Sequence, residues 1–141
     1  MRRSCKRWGV LLAITTSQLF SLSAFGEVKW INLGETSDGV VKFEAKPGSF
    51  EFSENREKTP IAVLVGRQTS SKSKTIELRK WYVSATDCHN KMGKLITLSV
   101  SGDFQFESDF IFDGGTVASS IAKFICDVAD QSIKNANGKS L

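Results

Sequence analysis

Short apolar runs separated by turn-forming residues fill the chain between residues 28 and 112. Several runs alternate apolar and polar positions, which is the pattern of a β-strand with one buried face. Asp38-Gly39 and Ser101-Gly102-Asp103 have the composition of tight hairpin turns. The pattern therefore predicts an antiparallel meander of about six or seven strands. The candidate strands are Val28–Leu33, Val40–Ala45, Ser49–Phe52, Ile61–Gly66, Thr75–Thr86, Lys94–Val100 and Phe104–Phe112.

Three local features refine this sheet. The apolar positions of Thr75–Thr86 change parity between Leu78 and Trp81, which predicts a β-bulge near Arg79-Lys80. In the last strand, four phenylalanines are expected to share one buried face, while Gln105, Glu107 and Asp109 face solvent; the four are Phe104, Phe106, Phe110 and Phe112. Polar composition predicts two loops, Ser53–Thr59 and Gln68–Lys74.

After Gly114-Gly115 the apolar period changes from two residues to three and four. This spacing predicts an amphipathic helix from Thr116 to about Ser132, with Thr116 as its N-cap. Its apolar stripe consists of Val117, Ile121, Phe124, Ile125 and Val128. Residues 133–141 are expected to form a polar C-terminal tail. A sheet followed by one helix that packs on it is an α+β fold.

The N-terminus has the pattern of a cleavable secretory signal covering residues 1–26. Four basic residues precede an uncharged stretch, and the small residues Ala24 and Gly26 stand before a cut at Glu27. A membrane anchor is the alternative, but a spanning helix needs about 20 predominantly apolar residues, and polar residues 15–18 interrupt this stretch. The expected product is a single domain over residues 27–132, exported and without a transmembrane anchor.

Removing the signal changes the interpretation of charge. Four of the 19 Lys and Arg residues precede Glu27, whereas all 15 Asp and Glu residues lie at or after it, which leaves 15 of each sign. The mature chain is then formally neutral. The pI of about 9.1 therefore gives no reason to expect nucleic-acid or anionic-membrane binding.

Cysteine usage predicts one disulfide. Cys5 falls in the signal, and Cys88 and Cys126 remain in a chain bound for an oxidising compartment, where an even count favours a bridge. The alternative is metal binding by Cys88, His89 and Cys126, but adjacent Cys and His side chains do not easily reach one ion. The sequence therefore predicts the Cys88–Cys126 disulfide, with no catalytic, cofactor-binding or metal-binding residues.

Other candidate residues have simple structural interpretations. Acidic residues near the last strand (Asp103, Glu107, Asp109 and Asp113) are expected on its solvated face rather than around calcium. A basic cluster (Lys72, Lys74, Arg79 and Lys80) is interpreted as a solubilising loop. Three aromatic residues, Trp30, Trp81 and Tyr82, are interpreted as core residues first and as a binding platform second.

The order of these features resembles a known family. Trp30 opens the first strand, WYVSATDC carries Cys88, a turn follows at Gly93, and GGTVASSIAKFIC carries Cys126. This order is similar to the surface-adhesin protein E family of Gram-negative bacteria, over about residues 28–128. The resemblance implies a small exported domain with an antiparallel sheet, a C-terminal helix and one cysteine pair. The founding adhesin is a lipoprotein, whereas this chain has no lipobox, so no lipid anchor is implied. The family's host-binding segments have no match here.

The leading functional hypothesis is an exported, non-catalytic envelope or secreted domain. It would act in the periplasm or at the cell surface and bind a protein or another extracellular macromolecule of the host or the envelope. The alternative is a periplasmic inhibitor or accessory factor of an envelope enzyme, acting through a protruding loop. A hydrolase is a third hypothesis, and it would require a pocket that holds His89 beside a carboxylate.

Overall fold

The computed structural model describes residues 27–138. Within this range, seven strands form one antiparallel sheet and two helices accompany it. The strands are β1 (Ile31–Glu35), β2 (Val41–Ala45), β3 (Glu51–Glu54), β4 (Pro60–Ser70), β5 (Thr75–Ser84), β6 (Met92–Ser99) and β7 (Phe104–Ile111). The helices are α1 (Ala85–Asn90) and α2 (Val117–Gly138). This architecture confirms the predicted α+β fold, and the seven strands agree with the predicted six or seven.

The strands lie in the order β1-β2-β4-β5-β6-β7, and β3 also pairs with β4. β2 pairs with the second half of β4 and β3 with the first half, so β2 and β3 lie end to end along one edge of β4. The turn at Pro47-Gly48 separates them. Ser49 closes the gap in the ladder, because its hydroxyl donates to the Lys46 carbonyl at 2.7 Å and accepts from the Val65 N–H at 3.1 Å.

The core lies between one face of the sheet and α2. The helix buries Ile121, Ala122, Ile125, Cys126 and Ala129. The sheet contributes Leu33, Ala45, Ala62, Leu64, Trp81, Val83, Leu95 and Phe110. Burial of one large apolar side chain contributes about 1.5–3 kcal/mol, so the side chains at this interface hold the helix on the sheet.

Gly66 makes room for the largest core residue. A Cβ atom at Gly66 would lie 2.2 Å from Cζ3 of Trp81 and 2.3 Å from the backbone oxygen of Glu44. Trp81 is 2 % exposed. Only glycine allows the indole to pack this closely against the backbone of the neighbouring strand.

The β4–β5 hairpin is longer than predicted. The first three residues of the predicted loop Gln68–Lys74 belong to β4, and the turn between the strands comprises only Ser71–Lys74. The predicted bulge near Arg79-Lys80 is also wrong, because the β4–β5 register runs without a shift from Ile61 opposite Ser84 to Ser70 opposite Thr75.

The parity change in β5 has another cause, since this strand presents apolar side chains to both faces of the sheet. Trp81 and Val83 are buried beneath α2. Ile76 and Leu78 lie on the opposite face and are 63 % and 46 % exposed. The pattern that indicated a bulge therefore indicates a strand with two apolar faces.

A bulge occurs instead in the last hairpin. Thr97 pairs with Phe106 and Leu98 pairs with Phe104, which leaves Gln105 as the extra residue of β7. Phe104 and Phe106 consequently point to opposite faces. The prediction that all four phenylalanines share a buried face is wrong, because Phe104 and Phe106 are 63 % and 49 % exposed while Phe110 is buried.

α2 begins as predicted and ends later. The Thr116 hydroxyl accepts a hydrogen bond from the Ser119 N–H at 3.1 Å, which confirms the N-cap. The helix continues to Gly138, so residues 133–138 of the predicted tail are helical. The side-chain hydrogen bond from Gln131 to Asn135, 3.0 Å long, supports these last turns at helical spacing.

The predicted signal, residues 1–26, lies outside the described residues, as does Cys5. Among the helices of residues 27–138, none is long and apolar enough to cross a bilayer.

Candidate functional site

Cys88 and Cys126 form the predicted disulfide, with Cα atoms 5.4 Å apart. Cys88 lies in α1, where the sequence predicted a loop, and Cys126 lies on the buried stripe of α2. Ser84 caps α1 by accepting a hydrogen bond from the Asp87 N–H at 3.1 Å. The bond therefore ties α2 to the end of β5. It also replaces the metal alternative, because both cysteine sulfurs are bonded to each other.

The face of the sheet opposite α2 carries its own apolar side chains, and we refer to it as the open face. Five of its large apolar residues are between 46 % and 63 % exposed: Ile76, Leu78, Met92, Phe104 and Ile111. The cross-strand register places them on this face, since directly paired residues point to the same side. Several exposed large apolar side chains on one face are typical of an interaction surface.

The concave part of the open face is a groove of about 430 Å³. Its floor comes from four strands and consists of Ile61, Val63, Tyr82, Leu98 and Phe104. The turn at residues 54–57 forms one wall, and Gly102 lies on another. The Asn55 side chain accepts hydrogen bonds from the N–H groups of Glu57 and Thr59 at 3.0 and 2.9 Å, which fixes the shape of the first wall.

Charged side chains of both signs line the groove, with one more carboxylate than cations. Burial raises the pKa of Tyr82, and the negative charges of Glu57 and Glu107 raise it further. Three carboxylates (Glu51, Glu54 and Glu57) and two cations (Arg56 and Lys80) line the groove. None of these five side chains forms an ion pair within the described part of the chain. The groove therefore combines an apolar floor with unpaired carboxylates at its rim.

A cluster of mutually paired charged side chains lies outside the groove, on β2 and β4. Arg67 donates from Nε to Glu44 at 2.7 Å, and the Lys42 ammonium lies 3.2 Å from the other carboxylate oxygen. Burial opposes ionisation of Glu44, but the hydrogen bonds from Arg67 and Lys42 outweigh it and lower its pKa. Trp30 covers this cluster, with its ring centroid 4.3 Å from the Arg67 guanidinium carbon. We assign the cluster a structural role.

The predicted basic cluster is dispersed by the fold. Lys72 and Lys74 lie in the β4–β5 turn, whereas Arg79 and Lys80 point to opposite faces of β5. Arg79 is paired with Glu77. Lys80 alone among these residues reaches the groove.

The predicted acidic residues do not converge on one site. Glu107 and Asp109 flank the Lys94 ammonium at 3.5 and 2.6 Å. Asp103 instead accepts a hydrogen bond from Ser101 within the β6–β7 turn. A search of residues 27–138 finds no group of His, Cys, Asp and Glu side chains that could hold a metal ion.

His89 lies at a second cavity, between α1, α2 and the sheet. Ser53 and Asp130 line the same cavity. A nucleophile, base and carboxylate that act together need contacts of about 2.6–3.2 Å. No hydrogen bond or ion pair joins any two of these three side chains in the described structure.

Sequence reasoning missed the groove, although two signals for it were present. Ile76 and Leu78 occupy even-numbered positions of β5, whereas Trp81 occupies an odd-numbered one. This difference indicates a second apolar face of β5. The second signal is Tyr82, which the sequence analysis interprets as a core residue first and as part of a binding platform second. The position of Phe104 depends on the bulge at Gln105, which no residue pattern marked.

Comparison of the chain with protein-family models, with curated proteins and with solved structures finds no match.

Proposed function

We propose that this protein is an exported, non-catalytic binding domain that captures another protein through the open face. The observation that carries the proposal is the exposure of large apolar side chains on the face that α2 leaves uncovered, where one of them, Phe104, lines a preformed groove. Side chains such as Leu78 and Phe104 lose contact with water when a partner covers them, and such burial is the main driving force of association.

The groove also suggests the chemistry of the partner. An apolar floor favours an apolar or aromatic side chain. The three unpaired carboxylates (Glu51, Glu54 and Glu57) outnumber the two unpaired cations (Arg56 and Lys80), which favours a nearby positive charge. The partner is therefore a protein segment in which an apolar residue is flanked by Lys or Arg. The walls at residues 54–57 and at Gly102 would hold this segment over β4–β7.

Export is supported by the sequence and by the disulfide. The pattern of residues 1–26 is that of a secretory signal, and a bond such as Cys88–Cys126 persists in oxidising compartments. The order of aromatic and cysteine residues adds the resemblance to the surface-adhesin protein E family. The domain is thus proposed to act in the periplasm or at the cell surface, without a lipid anchor.

Two exposed phenylalanines provide a matched test. Phe104 lies on the open face, whereas Phe106, two residues away on the same edge strand, points to the other face. The protein would be immobilised and exposed to envelope and host-matrix extracts. We expect Phe104→Asp to reduce retention of a specific partner at least tenfold and Phe106→Asp to leave it nearly unchanged. Equal losses, or no loss with either variant, would contradict the proposal.

The inhibitor alternative predicts a different dependence. An inhibitor that acts through a protruding loop would use either Ser53–Thr59, which forms a wall of the groove, or Gln68–Lys74, whose turn Ser71–Lys74 lies away from the groove. Only use of the second loop predicts a dependence that differs from the proposal. Replacing Lys72 and Lys74 by Ser would then weaken capture more than Phe104→Asp does. This comparison separates capture through the open face from inhibition through Gln68–Lys74.

A further inference from the structure

A cleft of about 400 Å³ opens at the seam between α2 and the β3–β4 end of the sheet. It adjoins the open-face groove, with which it shares Ser53 and Ile61, and we call it the seam cleft. Most of its lining is apolar, including Phe52, Ala62, Ala85, Ala129 and Ile133, and the disulfide residue Cys88 forms part of the wall. A volume of this size is within the range of small-molecule sites, which are about 300–1,000 Å³.

Two large apolar residues at the seam cleft occupy core-facing positions, and yet their side chains are exposed to solvent. Phe52 pairs with Ala62, which is 3 % exposed on the core face, but Phe52 itself is 55 % exposed. Ile133 follows Ala129 by one helical turn, and the exposures are 49 % and 6 %. In a closed seam these two side chains would be packed. They therefore indicate an apolar space that the chain itself does not fill.

The cleft persists because its wall residues are small and its walls are tied together. Alanine occupies three lining positions, Ala62 on β4, Ala85 on α1 and Ala129 on α2. The Cys88–Cys126 bond fixes the separation of the two helices. The ring of Phe52 is held in place by Phe50, with centroids 5.1 Å apart in an edge-to-face contact.

A cation stands at the mouth of the cleft. Lys91 caps the end of α1 in a left-handed conformation, and its N–H bonds to the Cys88 carbonyl at 3.2 Å, so its backbone position is fixed. Its ammonium group has no ion-pair partner among residues 27–138. His89 is beside it on α1, while the one carboxylate of the lining, Asp130, lies on α2. A negative head group would therefore be attracted toward Lys91 and repelled by Asp130.

We propose that the seam cleft binds a small amphipathic carboxylate, a single apolar chain that ends in one anionic group. The chain lies between Phe52 and Ile133, over the three alanines, and the carboxylate pairs with Lys91. The two cavities share Ser53 and Ile61, but the residues that test each proposal differ, because Phe104 lines only the groove and Lys91 and Ala85 line only the seam cleft.

The test is calorimetric titration of the purified protein with decanoate, compared with decyltrimethylammonium and butyrate. We expect saturable one-site binding of decanoate and much weaker binding of the other two compounds. Lys91→Glu is expected to weaken decanoate binding at least tenfold. Lys74→Glu is the matched control, since Lys74 is also an exposed lysine in a left-handed conformation but lies in the β4–β5 turn. This control should retain the wild-type affinity.

Ala85→Trp tests the apolar part. Ala85 is exposed at the start of α1, so a larger side chain can fill the cleft without entering the core. We expect this variant to keep the wild-type melting temperature and to lose decanoate binding. The proposal would be overturned by absence of saturable decanoate binding to the wild type. It would also be overturned by equal affinity for the cationic compound, or by unchanged decanoate affinity in both Lys91→Glu and Ala85→Trp.

Discussion

Tyr82 shows at the level of one residue how the open face is built. Its ring lies on the groove floor. Its hydroxyl interacts electrostatically with the carboxylates of Glu57, in the groove wall, and Glu107, in β7. Both carboxylates disfavour the tyrosinate anion, and burial disfavours it more strongly. The pKa of this one group therefore depends on its burial and on the positions of Glu57 and Glu107.

The titration of Tyr82 is directly measurable, because the chain contains one tyrosine. Its pKa is raised above the ordinary value of 10.0, so the ultraviolet absorbance of tyrosinate should appear above that pH. The raised pKa means that the folded state binds this proton more tightly than the unfolded state. Stability should then be unaffected at neutral pH and should fall as pH rises past the unfolded-state pKa.

Glu57→Gln should move the Tyr82 midpoint back toward 10.0, because it removes one of the two negative charges. Glu54→Gln, on the same wall, is the control and should leave the midpoint in place, since Glu54 is not among the charges that act on Tyr82. If the two variants gave the same midpoint, the placement of Glu57 over Tyr82 would be wrong.

The pattern of one strand shows where its apolar side chains stand, but it does not determine which face of the sheet each of them occupies. Trp81 was interpreted as a core residue, and the structure buries it. Phe104 has the same parity as Phe106 in the sequence, and only the extra residue Gln105 places the two on opposite faces. A bulge depends on how two strands pair, so no single-strand pattern contains it.

At the scale of elements, the disulfide has a clear structural role. It joins α1 to α2 across a sequence separation of 38 residues. In the chain-entropy description, closing such a loop contributes about 4 kcal/mol to stability. α2 covers the core, so this contribution helps to hold the helix on the sheet.

Removing the bond should therefore lower the free energy of unfolding by about 2–4 kcal/mol. The measurement is urea denaturation of the Cys88→Ala, Cys126→Ala double variant beside the wild type. A double variant as stable as the wild type would show that packing alone holds α2.

The elements themselves were largely predictable, while their ends were not. Period-two and period-3.6 patterns identified the strands and α2. The polar residues Gln68–Ser70 extend β4 because they pair with the start of β5, and the helix passes Ser132 with the support of a Gln131–Asn135 hydrogen bond. The additional residues of β4 and α2 depend on strand pairing and on a side-chain hydrogen bond, neither of which a hydrophobicity pattern shows.

At the scale of the whole molecule, the two faces of the sheet differ in how far they are buried. One face is buried under α2, and the other retains exposed Leu78 and Phe104 around the groove. The sequence predicted one helix over one face of the sheet. It did not reveal that the opposite face also carries exposed apolar side chains, because that surface is assembled from four strands and depends on the register in which they pair.

Export makes a prediction about the mature molecule. Intact mass and N-terminal sequencing of the protein isolated from the producing cells should give a chain that begins at Glu27. Thiol alkylation should add nothing before reduction and two groups after it, at Cys88 and Cys126. A product that retains residues 1–26 or reacts with alkylating reagent before reduction would contradict the proposed export.

The most direct test of the binding account is site-specific photo-crosslinking in intact cells exposed to host matrix. A photoreactive phenylalanine analogue would replace Phe104 in one protein and Phe106 in another, two similarly exposed positions on opposite faces of β7. The account predicts a discrete adduct from position 104 and little or none from position 106. Adducts of equal yield at both positions, or an adduct from position 106 alone, would contradict it.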